Sequence, residues 1–301
     1  MRLSDFVRMI ILAAIWGASF PLMRMCIQSF GALPLATLRV IGGSLFFTPL
    51  LIYRKEIFAV KQNWFHISCI GLFNSAIPFL CYSFAASAIA AGLASVFNAT
   101  TPLWGALIAW IWLEDRLSKS QLLGLAIGFS GVVYLAWDTV GFKENATGLQ
   151  ALWAVCACLV ATACYGFAGN YTKKFLKGVP PMATATGSLL AAGALLILPA
   201  GLNLPPANPS TNAWISAIAL ALGCTGVAYV IFYRLLANAG PTIAMAVAYL
   251  IPVFANLWGF ALLGERPTQS IVLGCLLILT GTTLATGILS LSRKPTVTPT
   301  K

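Results

Sequence analysis

The sequence predicts an all-α integral membrane protein with ten transmembrane helices, arranged as two five-helix repeats of inverted topology. The first supporting observation is composition: of 301 residues, 59% are hydrophobic and 8% are charged, with a mean hydropathy of +0.89. A typical soluble domain has about 25% charged residues, and so few charges could not cover the surface of a water-soluble fold. The same hydrophobicity excludes an intrinsically disordered chain.

The second observation is a series of ten apolar runs, each close to the length of about 20 residues that crosses a bilayer as a helix. The first run is longer than the apolar core of a signal peptide, so we interpret it as a membrane helix. The runs lie at 6–27, 32–53, 64–87, 92–113, 119–137, 149–171, 182–199, 212–235, 243–263 and 269–290. Residues 291–301 are polar and rich in Thr and Pro, which predicts a disordered cytoplasmic tail.

The third observation is an internal repeat. A shift of 150 residues places 94–131 on 244–281 with nine identities over 38 positions, including Pro102 on Pro252. A shift of 149 residues matches the first helix of each half, placing Trp16 on Tyr165. We therefore predict one repeat over 1–148 and a second over 149–290. Because five helices is an odd number, the second repeat would enter the membrane inverted, as in many secondary transporters.

The basic residues indicate the orientation. The formal charge is +11, with 18 Lys and Arg spread over short loops and no aromatic-interleaved patch typical of nucleic-acid binding. With both termini in the cytoplasm, 14 of the 18 fall on inner segments and 3 on outer segments. By the positive-inside rule this predicts cytoplasmic N- and C-termini. We expect the protein in the plasma membrane.

Several short segments, taken in order, resemble one family. They are Trp16–Phe20, Leu38–Arg39, Thr101–Gly105, Leu113–Arg116, Pro252–Gly259 and Leu263–Arg266. Their order and spacing resemble the EamA-type branch of the drug/metabolite transporter superfamily, over the whole chain. The resemblance implies two inverted five-helix halves around a central cavity for a small solute, and family members with known substrates often export amino acids. Glu114–Asp115 stand where the family has Gly-Glu, which leaves open which acid is equivalent to Glu265.

Arg39 is a charged residue about six positions inside the second apolar run, where a charge is costly and should face protein or water. Two interpretations stay open: it pairs with a substrate carboxylate or gates the cavity mouth, or it reaches the outer surface or helix-end carbonyls. Arg24 lies nearer its helix end and is expected to extend to the interface. Glu265 is expected to anchor a helix end with Arg266, and Glu114 to do so with Arg116. His66 is expected to be structural.

Three proline-containing segments interrupt the apolar runs: Asn74–Pro78, Asn98–Pro102 and Tyr249–Pro252. A proline inside a helix removes one backbone hydrogen bond, and freed backbone groups in a membrane must find partners or line a wet cavity. We therefore expect Asn74, Asn98 and Thr101 to line the cavity and the prolines Pro78, Pro102 and Pro252 to act as hinges. The alternative is a set of kinks that only shape packing.

Aromatic side chains inside the runs could stack on an apolar or aromatic solute, although core packing is the commoner role. Trp16 and Tyr165 are the first candidates because they occupy equivalent positions in the two repeats. The complete set of cavity candidates is Trp16, Ser19, Arg39, Asn74, Tyr82, Asn98, Thr101, Tyr165, Asn170, Tyr229 and Tyr249.

These features predict a secondary transporter that moves a small metabolite by alternating access. An amino acid, with an aromatic one as first candidate, and export are preferred from the family resemblance. No Asp or Glu lies inside an apolar run, which favours facilitation or exchange over a buried carboxylate relay. The alternatives are a multidrug, nucleoside or sugar-like carrier, or a membrane-embedded enzyme, for which the single His and the missing intramembrane acids supply no catalytic set. We expect no cofactor, metal or nucleic acid; the partners are solute and lipid, and monomer and dimer stay open.

Overall fold

The computed structural model describes residues 3–140, 147–204, 208–239 and 241–287, and the regular elements in these ranges are all helical. The predicted 291–301 tail lies outside the described residues. The helices are α1 Leu3–Phe30, α2 Ala32–Tyr53, α3 Ile57–Gln62, α4 Trp64–Gly71, α5 Ile77–Ala85, α6 Ala91–Asn98, α7 Thr101–Trp112, α8 Lys119–Val140, α9 Thr147–Phe175, α10 Pro181–Gly201, α11 Thr211–Ile218, α12 Ala228–Ala239, α13 Pro241–Leu263 and α14 Gln269–Ala285. Two π-helical segments, Leu72–Ala76 and Ala219–Val227, join α4 to α5 and α11 to α12.

Within the described ranges, seven helical segments are long and apolar enough to cross a membrane. They are Leu3–Phe30, Ala32–Tyr53, Trp64–Ala85, Lys119–Asp138, Gly148–Phe175, Pro181–Gly201 and Thr211–Ala239. Two shorter apolar helical segments, Val247–Leu263 and Gln269–Ala285, follow them. Large apolar side chains such as Leu45, Ile111 and Leu198 are exposed on the outside of the bundle, where a bilayer would cover them. The predicted all-α membrane fold class is confirmed.

The fourth apolar run is interrupted as predicted. Helix α6 ends at Asn98, and α7 begins at Thr101 with Pro102 in its first turn. Pro102 has no N–H to donate to the carbonyl of Asn98, four residues earlier. The Thr101 hydroxyl donates to that same carbonyl over 2.9 Å. The sequence therefore breaks the helix and supplies the replacement partner locally, as a membrane interior requires.

The other two predicted interruptions differ from each other. The segment before Pro78 is a π-helical turn, Leu72–Ala76, so the third run changes its helical geometry without ending. The prediction for the ninth run is wrong in this respect, because α13 continues through Pro252 from Pro241 to Leu263. A proline inside a helix costs one hydrogen bond and bends the helix, and in membrane proteins neighbouring helices commonly compensate.

Glycines set the closest helix contacts, because a helix without side chains at the crossing can approach another backbone. A Cβ added at Gly281 of α14 would meet the backbone of Gly128 in α8. A Cβ at Gly17 of α1 would lie 2.7 Å from the Cβ of Phe254 in α13. A Cβ at Gly166 of α9 would lie 2.7 Å from the backbone nitrogen of Gly105 in α7. These crossings hold α1 on α13 and α9 on α7.

Candidate functional site

Arg39 of α2 is buried inside the bundle and does not extend to the surface. Its Nε donates to the Thr225 hydroxyl over 3.2 Å, and its Nη1 donates to the Met23 sulfur over 3.8 Å. The guanidinium carbon lies 4.0 Å from the centre of the Phe79 ring, a cation–π distance. The two hydrogen bonds and the ring contact of the guanidinium are thus to side chains of three other segments, not to helix-end carbonyls.

The positive charge of Arg39 has no acidic counterpart in the described part of the chain. The ion pairs found there are Arg8–Asp5, Arg24–Glu265 and Lys173–Asp115, and none includes Arg39. A buried charge without a partner is costly, and a hydroxyl, a sulfur and a ring face offset that cost only in part. A site of this kind favours the binding of an anion, since an anionic group would supply the missing partner.

Two pairs of aromatic rings lie on neighbouring helices, of which α1 carries Met23 and α5 carries Phe79, both contacts of Arg39. Trp16 of α1 meets Tyr229 of α12 edge to face, with ring centres 6.3 Å apart. Tyr82 of α5 stacks on Tyr165 of α9 at 6.4 Å. Tyr229 also stacks on Phe47 of α2, the helix that carries Arg39, with ring centres 6.3 Å apart. Trp16, Tyr165 and Tyr229 are each half-buried.

Two predicted amide side chains join the same cluster. The Tyr82 hydroxyl donates to Oδ1 of Asn98 over 3.1 Å, at the point where α6 ends. Asn74, in the π-helical turn before Pro78, interacts with the Tyr229 hydroxyl. Both amides are half-buried. Asn74 and Asn98 therefore lie at irregular helical segments and each interacts with a tyrosine. Irregular backbone at membrane depth is tolerated where it is buried in protein or lines a water-filled cavity.

Four predicted residues have hydroxyl, amide or ring groups engaged elsewhere. The Ser19 hydroxyl donates to the Trp16 carbonyl over 2.6 Å, within its own helix. Thr101 donates to the Asn98 carbonyl, as described above. Asn170 donates hydrogen bonds to the Gly105 carbonyl of α7 at 2.9 Å and to the Gly166 carbonyl of its own helix at 3.0 Å. The Tyr249 hydroxyl is hydrogen-bonded to the Thr286 hydroxyl at 3.1 Å. The structure does not bring Asn170 or Tyr249 into the Arg39 cluster.

Three contacts of Arg39 were missed by the sequence analysis. Thr225 lies in the π-helical segment Ala219–Val227, 150 residues after Ser75 of the other π-helical turn. A search for the repeat partner of Asn74–Pro78 would have found it. Met23 and Phe79 gave no signal, because an apolar residue in an apolar helix is not distinguished by composition.

A second polar cluster corrects two expectations. Arg24 does not extend to the interface but pairs with Glu265, Nε to Oε1, at 3.1 Å. Glu265 therefore anchors a helix end through Arg24, not through Arg266. Its other oxygen accepts the backbone N–H of Ala91 over 2.9 Å, at the first turn of α6. The cause is the packing of α1 against α13, which brings the ends of these helices together.

His66 lies in an aromatic cluster at the ends of α4, α7 and α9, as its expected structural role requires. Its Nδ1 is 2.8 Å from the Tyr171 hydroxyl, and its ring stacks on Phe175 with centres 5.0 Å apart. Lys174 lies 4.5 Å from the ring centre of Trp112 in the same cluster. These contacts fasten the helix ends.

Comparison with known proteins identifies the family. The EamA-like transporter family matches residues 6–137 and again 152–287, and the chain belongs to this family. It is therefore an integral membrane protein of a small-molecule transporter family, as the sequence resemblance predicted.

Relatives and a solved structure agree with this assignment. The chain is 27% identical over 255 residues to the uncharacterized inner membrane transporter YedA of Escherichia coli (strain K12), covering 83% of this chain and 80% of that one. It is 25% identical over 278 residues to an uncharacterized transporter of Archaeoglobus fulgidus, covering 90% of this chain and 93% of that one. A crystal structure with 20% identity superposes with a TM-score of 0.63 and covers 96% of this chain and 98% of that one, a likeness of fold.

Proposed function

We propose that this protein is a secondary transporter that carries an amino acid out of the cell across the plasma membrane by alternating access. The observation that carries the proposal is the buried Arg39 guanidinium, which lacks a carboxylate partner among the described residues and lies over the Phe79 ring. A substrate carboxylate would complete its coordination through charge-assisted hydrogen bonds. An arginine suits this role because its planar fork matches a carboxylate.

The neighbouring residues suit the rest of an amino acid. The hydroxyl oxygens of Tyr165 and Tyr229 and the amide oxygen of Asn74 can accept hydrogen bonds from an ammonium group. Trp16 and Tyr229 meet edge to face, and their half-buried rings provide faces for an apolar or aromatic side chain. An aromatic amino acid is therefore the first substrate to test.

The proposed architecture has ten crossings. Counting α6 with α7 as one crossing, and α13 and α14 as one each, adds three to the seven long segments. Two inverted halves, 1–148 and 149–290, are supported by the double match to the family. The glycine contacts also support them, since Gly17 on Phe254 and Gly166 on Trp104 are equivalent under the repeat. The orientation rests on the distribution of Lys and Arg, with both termini cytoplasmic.

The charge of the site bears on the alternatives. A cationic drug would meet the Arg39 charge, which forms no ion pair with an acid of the described residues, and this disfavours that class. A nucleoside or a sugar would leave the guanidinium without an anionic partner. Carboxylates of the described helices lie at helix ends, as with Asp5 and Asp138, so the proposal favours facilitation or exchange over coupling to a buried acid.

Flux from proteoliposomes tests the proposal. Vesicles with the purified protein are loaded with a mixed pool of amino acids, nucleosides and sugars, and the solutes that leave are identified with and without a pH gradient. Selective efflux of amino acids without a gradient is the expected result. Selective efflux of nucleosides or sugars would contradict the substrate class, and efflux only with a pH gradient would contradict facilitation.

A further inference from the structure

Two ion pairs occupy equivalent places in the two repeats. Arg24 pairs with Glu265 at 3.1 Å, and Lys173 pairs with Asp115 at 3.5 Å. A shift of 149 residues carries Arg24 to Lys173, and a shift of 150 carries Asp115 to Glu265. Asp115 is thus the acid that corresponds to Glu265, the point that the sequence left open. The packing of α1 on α13 also has a counterpart in the packing of α9 on α7.

Inversion puts the two pairs at opposite ends of the bundle, a step that rests on the topology proposed above. In that topology Arg24 and Glu265 lie at the outer end, where α1 and α13 finish. Lys173 and Asp115 lie at the inner end, where α9 and α7 finish. Each pair joins the first helix of one repeat to the segment that follows the fourth crossing of the other.

The outer ion pair, Arg24–Glu265, has more hydrogen bonds and is less exposed than the inner pair. Glu265 also accepts the Ala91 N–H, and Arg24 also donates from Nη1 to the Ile89 carbonyl over 2.6 Å, so three chain segments are tied together. The exposed side-chain fractions are 33% for Arg24 and 19% for Glu265. A partly buried pair with additional hydrogen bonds is screened little by solvent and salt.

The inner pair lacks each of these features. Its side chains are 67% and 52% exposed, and exposed pairs contribute little. Lysine offers a point charge where arginine offers a fork of donors. The position equivalent to Ala91 is Pro241, which has no N–H to give to Asp115. Thus the ion pair at the outer end is strong and the equivalent ion pair at the inner end is weak.

We propose that the two ion pairs are opposed locks of the transport cycle and that their unequal strength makes the empty carrier open first toward the cytoplasm. Alternating access requires each end to open while the other is closed. Both pairs are formed in this structure, so the pair at a given end must break before that end can open. The weaker inner pair breaks more readily, which leaves the outer end closed.

Hydrogen exchange of the full-length protein in lipid nanodiscs, followed by mass spectrometry without added solute, tests this proposal. In the Arg24→Gln/Glu265→Gln variant, we expect exchange at outer residues 86–92 and 264–268 to rise about tenfold, since charge-assisted bonds are lost. Exchange at inner residues 112–118 and 173–179 should fall, because an outward-open population closes the inner end. The Lys173→Gln/Asp115→Asn variant should give the opposite pattern with a smaller change, about two- to threefold.

The controls distinguish an ion pair that controls which end of the bundle opens from one that only stabilises its own end. Arg266→Gln removes an exposed charge next to Glu265 that forms none of the ion pairs described, and should leave both ends unchanged. If the outer double variant does not fold, the isosteric Glu265→Gln variant carries the test. A rise confined to the mutated end, with no fall at the other, would overturn the proposal. Because no solute is added, this result is independent of whether amino acid flux is found.

Discussion

Tyr82 donates a hydrogen bond to the side chain of Asn98 over 3.1 Å, and so ties α5 to the point where the fourth apolar run is interrupted. The same tyrosine stacks on Tyr165 of α9, and it shares α5 with Phe79, whose ring lies 4.0 Å from the guanidinium carbon of Arg39. One side chain thus connects the helix break to the charged site. The site draws on both proposed repeats, since Arg39 comes from the first and its hydrogen-bond partner Thr225 from the second.

Removing the Tyr82 hydroxyl should weaken solute binding without abolishing it. In Tyr82→Phe the ring stacking is kept, but the Asn98 amide loses its donor. We expect the KM for transport to rise about three- to tenfold, the range of one neutral hydrogen bond. The measurement is concentration-dependent uptake into proteoliposomes. Tyr134→Phe, on the exposed face of α8, is the control; an equal change in both variants would contradict the assignment of Tyr82.

The Trp16 ring should set a preference for aromatic solutes. We expect Trp16→Ala to lower the ratio of aromatic to aliphatic amino acid transport about three- to tenfold, because an aromatic pair contributes about 0.5–1.5 kcal/mol beyond burial. Trp16→Phe should keep most of the ratio. Trp153→Ala removes an exposed ring from α9 and should not change it. An unchanged ratio in a correctly inserted Trp16→Ala protein would remove Trp16 from the site.

The two repeat-related prolines should differ in their effect. Pro102→Ala restores an N–H that can bond to the Asn98 carbonyl and compete with Thr101, so we expect the break to close and transport to fall several-fold. Pro252→Ala lies in a continuous helix and should be nearly neutral. The measurement is initial transport rate at equal amounts of inserted protein. Equal losses in both variants would mean that the interruption at Asn98–Pro102 has no special role.

The α8–α14 crossing should be intolerant of side chains. In Gly281→Ala the new Cβ would meet the Gly128 backbone, which cannot move as a flexible side chain would. Overpacking of this kind costs about 1–3 kcal/mol, so we expect the thermal unfolding midpoint in detergent to drop by about 5 °C. Gly169→Ala is the matched control, because nothing lies within 4 Å of its added Cβ. A Gly281→Ala midpoint equal to that of Gly169→Ala would contradict the close crossing.

Much of the fold could be predicted because hydrophobic runs and helix breakers act locally. The interruption at Asn98–Pro102 follows from one missing N–H and was predicted from sequence. The continuity of α13 through Pro252 was not, because the same missing bond can be absorbed by a bend when neighbouring helices hold both sides. Residues with the same local sequence signal can therefore have different outcomes in tertiary structure.

The site was predicted in part for a similar reason. Arg39, Tyr82 and Tyr165 stand out because a charge or a polar ring in an apolar helix needs a partner. The partners themselves depend on which helices pack together. That is why the pairing of Arg24 with Glu265 was missed, and why Tyr249, with an equal sequence signal, lies outside the cluster beside Thr286.

The central claim is that Arg39 recognises a carboxylate, and competition in proteoliposomes tests it most directly. Transport of a labelled amino acid is measured in competition with the unlabelled amino acid. It is also measured in competition with the amino acid amide, in which a neutral carboxamide replaces the carboxylate. We predict that the wild-type protein prefers the acid over the amide by about tenfold or more, that Arg39→Lys keeps part of this preference, and that Arg39→Gln loses it. An Arg39→Gln protein that transports at the wild-type rate and still prefers the acid would contradict the account.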